Sequence, residues 1–205
     1  MFPGRDDVER TSSNGDVKNL INLFDDFGFR QRLEHNQSGS QMLELLRGTA
    51  EKDFSRYDCF VCVLLSHGTK DGIYGTDLQV MIKTETITSL FQRNQCPSLE
   101  GKPKIFLIQA CHGQLSSSLL PADADFLICF APGHQSYHQA LLGSWFISSV
   151  FDVFKEYAER EHLMDMMLRV NNRVAGFYRK KGLKQMPCQV CMLRKKVFFD
   201  PKYSR

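Results

Sequence analysis

The residues of this sequence that could do covalent chemistry are a cysteine and a histidine, and each follows an apolar run. Cys111 comes shortly after Ile-Phe-Leu-Ile and the polar Gln109, and His67 follows Phe-Val-Cys-Val-Leu-Leu-Ser. An imidazole activates a thiol because it accepts the thiol proton or stabilises the thiolate. The backbone N–H groups of Gly68 and Cys111 offer two donors for an oxyanion. The pair predicts nucleophilic catalysis, although a lone cysteine in such a position is usually only a small apolar residue.

The elements that must position these two residues alternate along the chain. Helical spacing predicts helices over 16–29, 38–54, the first part of 84–103, 143–161 and 163–181, and apolar runs predict strands over 57–68, 104–113, 122–131 and 186–199. Gly28 is expected to end the first helix and Ser40 to cap the second. Strands that are apolar throughout, alternating with helices, predict an α/β fold with a largely parallel sheet. If their strands are neighbours, His67 and Cys111 emerge at the same sheet edge.

Length and composition exclude several classes of protein. The 205 residues fit one large domain or two small ones, and a net charge of +3 does not favour a nucleic-acid partner. No apolar stretch reaches the ~18 residues of a membrane span, and the N-terminal residues do not resemble a signal peptide. Seven cysteines without such a signal predict reduced thiols and a cytoplasmic protein.

Two cysteine pairs, Cys59 with Cys62 and Cys188 with Cys191, raise the alternative of a zinc site. The pairs are much further apart in sequence than the ~15–20 residues that separate the pairs of zinc ribbons. Each pair also lies in a predicted strand, where an offset of three turns the two side chains to opposite faces. We expect structural thiols, and the sequence predicts neither a metal site nor a cofactor.

The segment Gln109–Ala110–Cys111–His112–Gly113, with a histidine upstream at position 67, resembles the signature of the caspases, which are cysteine endopeptidases. Further segments that resemble successive caspase blocks lie at 57–68, 72–77, 87–113, 122–127, 143–147 and 184–199. The resemblance implies a caspase-like three-layer sandwich, in which helices flank a mostly parallel central sheet. It also implies one domain over 1–205, with a large-subunit-like region at 1–116 and a small-subunit-like region at 117–205.

The resemblance further implies cleavage after aspartate, with Cys111 and His67 as the catalytic pair and the amides of Gly68 and Cys111 as the oxyanion hole. The substrate aspartate (P1) would be held by Gln109 and by two arginines. Arg10 fits the first arginine, since it stands six residues before Asp16, which the family pattern makes a helix cap.

The second arginine is absent from its expected place. Ser136 and Tyr137 match the family segment, but His138 stands where the arginine is expected. An arginine binds a carboxylate through two charged hydrogen bonds, whereas an imidazole is mostly neutral at neutral pH. A weakened P1 pocket is therefore predicted. Tyr137 and Trp145 would line the substrate groove by resemblance, although each could equally belong to the core.

Two other departures concern processing and the N-terminus. The linker at 114–121 is short and contains no aspartate, so activation by cleavage there is not expected. The buried strand that the family places before its first arginine is also missing, which indicates a truncated product or a replacement cover. The alternative function is a pseudoenzyme that regulates an active caspase. In either case the partners are proteins: substrates, and a homodimer or heterodimer with another caspase through the C-terminal strand, with no nucleic acid or membrane.

Overall fold

The structure is a computed structural model that describes residues 5–69, 72–110, 123–131, 138–139, 143–181 and 186–200; for 5–13, 138, 139, 143 and 178–181 only the backbone is described. The helices are α1 Arg5–Asp26, α2 Gly39–Ala50, α3 Thr84–Ser89, α4 Trp145–Tyr157 and α5 Leu163–Lys181, with a 3-10 turn at Pro97–Leu99. The strands are β1 Phe60–Leu65, β2 Gly68–Thr69, β3 Gly72–Tyr74, β4 Met81–Ile82, β5 Lys104–Gln109, β6 Phe126–Phe130, β7 His138–Gln139, β8 Gly143–Ser144 and β9 Cys188–Cys191. These elements form two compact units, one drawn from 1–33, 135–187 and 196–205, and the other from 34–134 and 188–195.

The second unit contains a four-stranded sheet with the order β1-β5-β6-β9. Strands β1, β5 and β6 are parallel, and β9 runs antiparallel to β6. Every residue of β5 and β6 is buried, which explains why these two central strands are apolar on both faces. The predicted α/β class with a mostly parallel sheet is confirmed, and all four predicted strands are present.

One face of this sheet packs against α2 and α3. Leu46 of α2 and Ile87 of α3 are buried in one core with the even-numbered residues of β5 and β6. Phe106 and Phe126 stack across these two strands, with 6.0 Å between their ring centroids. Phe60 stacks on Phe91 at 4.5 Å. Burial of several phenylalanine rings supplies much of the driving force for this unit, since each ring removes a large apolar area from water.

The amino ends of β5 and β6 contain buried charge. Lys104 is almost inaccessible; its ammonium donates to the carbonyls of Leu99 and Lys102 and lies 4.8 Å from the centroid of the Phe126 ring. Burial lowers the pKa of this lysine. The carboxylate of Asp125 accepts two hydrogen bonds from the guanidinium of Arg194, at 3.0 and 2.6 Å. The buried carboxylate is thereby paired in the bidentate geometry that arginine favours.

Helix α2 begins with a cap that differs from the prediction. Ser38, not Ser40, is the N-cap residue: its hydroxyl accepts from the N–H of Gln41, and the Gln41 side chain accepts from the N–H of Ser38. This reciprocal pair is a capping box. Ser40 lies inside the first turn and is exposed.

The first unit is helical and includes a short hairpin of β7 and β8. Helix α1 ends as predicted at a glycine: Gly28 has a φ of +77°, its N–H donates to Asp25, and the N–H of Phe29 donates to Phe24. These two bonds form a Schellman motif. The rings of Phe29 and Phe154 both contact Phe199.

The beginning of α1 and the length of the last strand differ from the prediction. Helix α1 starts at Arg5 rather than at Asp16, so Asp16 is an internal helical residue and not a helix cap. Strand β9 ends at Cys191, and Val197 beyond it accepts a hydrogen bond from the N–H of Leu163 in the first unit. Among the described residues, no helix is long and apolar enough to cross a membrane.

Candidate active site

The strands that precede His67 and Cys111 are direct neighbours. In the parallel register of β1 and β5, Leu65 is the Cα partner of Gln109. The N–H of Ser66 donates to the carbonyl of Gln109 at 3.1 Å and continues this pairing past the end of β1. The chain therefore leaves both strands at the same edge of the sheet, as expected if His67 and Cys111 act together. Cys111 itself lies outside the described residues.

His67 is exposed, and its backbone is fixed by a small sheet that the sequence did not predict. Its carbonyl accepts from the N–H of Tyr74 at 2.9 Å, and the hydroxyl of Ser66 donates to the carbonyl of Tyr74. Gly68 begins β2, which pairs with β3, and β3 pairs in turn with β4. This three-stranded sheet holds the backbone of His67 and Gly68 in place.

The small sheet is joined closely to the start of α2. A Cβ atom added to Gly75 would lie 2.1 Å from the backbone nitrogen of Gly39, so only glycine fits at this position. The N–H of Thr76 donates to the carbonyl of Gln37 at 2.9 Å. Strands of two or three residues give no periodicity to detect, and the glycines of the 72–77 segment were the only signal available.

Gln109 is the polar end of a buried strand. The residue is 4% exposed, and among the described residues neither the nitrogen nor the oxygen of its side-chain amide has a hydrogen-bond partner. An unpaired buried amide costs on the order of 1–3 kcal/mol, so such groups are rare unless a ligand satisfies them. The amide is therefore available to donate to a carboxylate.

The other predicted recognition residues belong to the first unit, and some of them lie outside the residues that the structure describes. His138 lies in β7, where its Cα partner is Ser144 of β8. Trp145 is the first residue of α4, is 3% exposed and stacks on Phe177 at 5.3 Å, which agrees with the core alternative. Arg10 lies in the backbone of α1. Ser136 and Tyr137 lie outside the described residues.

Asp16, which the sequence assigned only as a helix cap, is buried and bonded to the end of the hairpin. Its carboxylate is 2% exposed and accepts the N–H of Ser144 at 2.8 Å. Burial raises the pKa of Asp16 to about 6, although the hydrogen bonds from the N–H and hydroxyl of Ser144 act in the opposite direction. A polar residue in the middle of a helix gives no sequence signal for such a contact, because its partner is more than a hundred residues away.

The remaining thiols have the properties of structural residues. Burial raises the pKa of Cys59 to about 11 and that of Cys62 to about 12, so both stay protonated. Cys62 belongs to β1 and Cys188 to β9, which are the two outer strands of the four-stranded sheet. With strands ~4.8 Å apart, the two pairs cannot share one metal ion. Within the described part of the chain, no group of three or more histidine, cysteine or acidic side chains is arranged to hold a metal.

Comparison with known proteins agrees with this arrangement. Residues 2–198 match the family described as the caspase domain. Caspase-3 of Bos taurus is 35% identical to the chain over 214 residues, which cover 93% of this chain and 77% of the relative. Caspase-3 of Mus musculus is 35% identical, with coverages of 93% and 76%, and caspase-6 of Gallus gallus is 33% identical, with coverages of 95% and 75%. With its mostly parallel sheet, its match to the caspase domain and these relatives, the chain belongs to the caspase family of cysteine proteases.

Proposed function

We propose that this chain is a cysteine endopeptidase that cleaves peptide bonds after aspartate and acts in apoptosis or related signalling. The observation that supports the proposal is the pairing of β1 with β5: the ends of these strands, which precede His67 and Cys111 in the sequence, lie side by side, and the buried amide of Gln109 there has no partner among the described residues. A thiol, an imidazole and a buried amide donor are the groups needed for an acyl transfer directed by a carboxylate.

In the proposed reaction the Cys111 thiolate attacks the carbonyl carbon of the scissile bond, and the N–H groups of Gly68 and Cys111 hold the oxyanion. The tetrahedral intermediate collapses with cleavage of the C–N bond, and the His67 imidazolium gives its proton to the departing amine. Water then attacks the thioester, His67 accepts a proton from it, and the acid product leaves as Cys111 recovers its proton.

Recognition of the P1 aspartate is assigned by resemblance to Gln109, Arg10 and the residue at position 138. A histidine at 138 replaces a permanent charge with a group that is mostly neutral at pH 7.5. Loss of a charged hydrogen bond costs roughly 1.5–3 kcal/mol, which corresponds to about a 10- to 150-fold loss of activity. The wild-type chain is accordingly a slow protease whose activity rises toward pH 6.

A second function is favoured by the same substitution. A chain with a weakened P1 pocket could regulate an active caspase by pairing with it. Among the described strands, β9 is an outer strand that pairs with β6 alone, and its Cys191 is exposed. An open strand edge of this kind can pair with a strand of another chain. We propose β9 as the contact of a homodimer or of a heterodimer with another caspase.

We further propose that residues 1–205 act as one domain in the cytoplasm, with large- and small-subunit-like regions at 1–116 and 117–205. The linker at 114–121, which lies outside the described residues, contains no aspartate, so the chain would work without a cut there.

Covalent labelling separates the two functions. The probe is a short peptide that ends in aspartate and carries a thiol-reactive group, and peptide mass spectrometry identifies the modified cysteine. We expect one label per chain at Cys111, lost in Cys111→Ser and retained in Cys59→Ser, which removes a half-buried thiol outside the proposed catalytic pair and the proposed dimer contact. His138→Arg should speed labelling about 10- to 150-fold at pH 7.5. Label spread over several cysteines, or none at Cys111 in either chain, would exclude the protease, and a changed turnover of an active caspase mixed with the chain would support the regulator.

A further inference from the structure

The carboxylate of Asp16 connects α1 to the segment that the resemblance assigns to P1 recognition. Asp16 accepts the N–H of Ser144 at 2.8 Å, and Ser144 is the Cα partner of His138 in the hairpin of β7 and β8. Ser144 is also the N-cap of α4, and its hydroxyl accepts the N–H of Ile147 at 3.2 Å. One buried carboxylate thus fixes the residue at which the hairpin ends and the helix begins.

Among the residues whose side chains the structure describes, no cation is paired with the Asp16 carboxylate. On α1, the residues one turn away from Asp16 are Ser12, Ser13, Asn19 and Leu20, and none of them is charged. Strand β8 contains no titratable residue, and the first one in α4 is Asp152. The other titratable residues on these elements are Lys155, Glu156 and Tyr157 in the last part of α4 and His138 of β7. Burial of a carboxylate whose described partner is an uncharged serine is costly, so its persistence indicates a role beyond packing.

We propose that Asp16 is a positioning residue for P1 recognition, because its bond to Ser144 fixes the hairpin strand that pairs with His138. The inference rests on the proposed function, since it takes residue 138 as part of the aspartate pocket. A recognition strand that shifts by ~1 Å loses up to about 10²-fold in activity. Because Asp16 acts on the strand and not on the thiol, its loss should weaken substrate binding more than it slows the chemical step.

Three variants of Asp16 and one control test this role in the full chain that carries His138→Arg, so that turnover is measurable. Asp16→Asn keeps an oxygen acceptor of the same size, and Asp16→Leu removes the acceptor. Asp16→Ala removes it with a smaller side chain and serves if the leucine variant does not fold. Asn22→Ala alters an exposed residue of the same helix and is the control. We expect Asp16→Leu or Asp16→Ala to raise KM for an aspartyl peptide roughly 10-fold with kcat changed less than threefold, and Asp16→Asn to match the control.

Hydrogen exchange of the amides in 138–148 gives a second readout that does not need activity. The leucine or alanine variant should speed exchange across this segment, and Asp16→Asn should not. The inference is overturned if removal of the acceptor leaves both KM and exchange unchanged, if kcat falls as much as KM rises, or if Asp16→Asn behaves like Asp16→Leu. If no variant cleaves or binds the peptide, the proposed function fails, whereas exchange still decides whether Asp16 anchors the hairpin.

Discussion

Ser66 and Gln109 are joined by a backbone hydrogen bond of 3.1 Å at the point where two parallel strands end. His67 comes one residue after this bond on one strand, and Cys111 comes two residues after it on the other. Any motion that separates these two strand ends must therefore break strand pairing. A rigid sheet edge would suit the proposed nucleophile and base, because sites supported by strands are held more precisely than sites on loops.

Replacement of the Gln109 amide should raise the stability of the protein and weaken its binding of an aspartyl peptide. Gln109→Leu removes a buried amide that has no partner among the described residues. We expect the free energy of unfolding to rise by about 1 kcal/mol, since an unpaired amide costs roughly 1–3 kcal/mol. The same change should weaken binding of an aspartyl peptide by about 10-fold or more. Urea unfolding and equilibrium peptide binding measure the two effects.

Gln95→Leu is the matched control for this variant, because Gln95 is exposed and lies away from the sheet edge. It should change neither quantity by more than about 0.5 kcal/mol. A loss of stability in Gln109→Leu would contradict the argument, since it would mean that the amide has partners in the folded protein.

The sheet was predictable from the sequence, whereas the cap of α2 and the bond between Asp16 and Ser144 were not. Strands β5 and β6 are buried on both faces, so their residues had to be apolar, and that requirement is visible in a single sequence. The cap of α2 was ambiguous because Ser38 and Ser40 both precede an apolar helical pattern. Only Ser38 has a glutamine three residues later whose side chain can accept its backbone N–H and complete a capping box. Asp16 could not be understood from its neighbours, because its partner Ser144 is supplied by the fold.

The two serines give a direct test of the α2 cap. Ser38→Ala removes the hydroxyl that accepts the N–H of Gln41, so one N–H donor in the first turn of the helix loses its side-chain partner. We expect the free energy of unfolding to fall by about 1 kcal/mol. Ser40→Ala is the control; it should leave stability unchanged or raise it by up to ~0.5 kcal/mol, because alanine is the better helix former. Equal losses in the two variants would contradict the assignment of Ser38 as the cap.

The pair between Arg194 and Asp125 should stabilise the protein at neutral pH but not in acid. Two hydrogen bonds from Arg194 are the main cause of the lowered pKa of Asp125. At pH values between the folded and the unfolded pKa of Asp125, the unfolded chain binds more protons than the folded protein. The contribution of the pair to stability therefore grows with pH and is lost as pH falls through the folded pKa. Since the Arg194 side chain is 64% exposed, solvent screening limits the effect.

Arg194→Met should therefore lower the free energy of unfolding at pH 7, and the difference from wild type should shrink as pH falls below the ordinary aspartate pKa of 3.8. Lys195→Met removes a neighbouring exposed charge that lacks this pairing, and it is the control. Thermal unfolding measured from pH 3 to 7 gives both curves. A loss for Arg194→Met that is the same at every pH would indicate that packing, rather than the charge on Asp125, is responsible.

Asp16 should show the opposite pH dependence. Burial raises its pKa from 3.8 to about 6, so between these values the folded protein holds a proton that the unfolded chain has released. Stability must then fall as pH rises from about 4 to about 6, because over this range the unfolded chain binds fewer protons than the folded protein. Asp16→Asn resembles the protonated acid and does not titrate. It should be more stable than wild type by up to roughly 3 kcal/mol at pH 7.5, and the advantage should disappear near pH 4.

Urea unfolding at pH 4.0, 5.5 and 7.5 measures this difference in stability. The control is Asp53→Asn, which replaces an exposed aspartate whose pKa is lowered by its hydrogen bonds to Ser55 and which should show no such advantage. If Asp16→Asn is less stable than wild type at pH 7.5, the hydrogen bonds from Ser144 stabilise the ionised carboxylate by more than burial destabilises it.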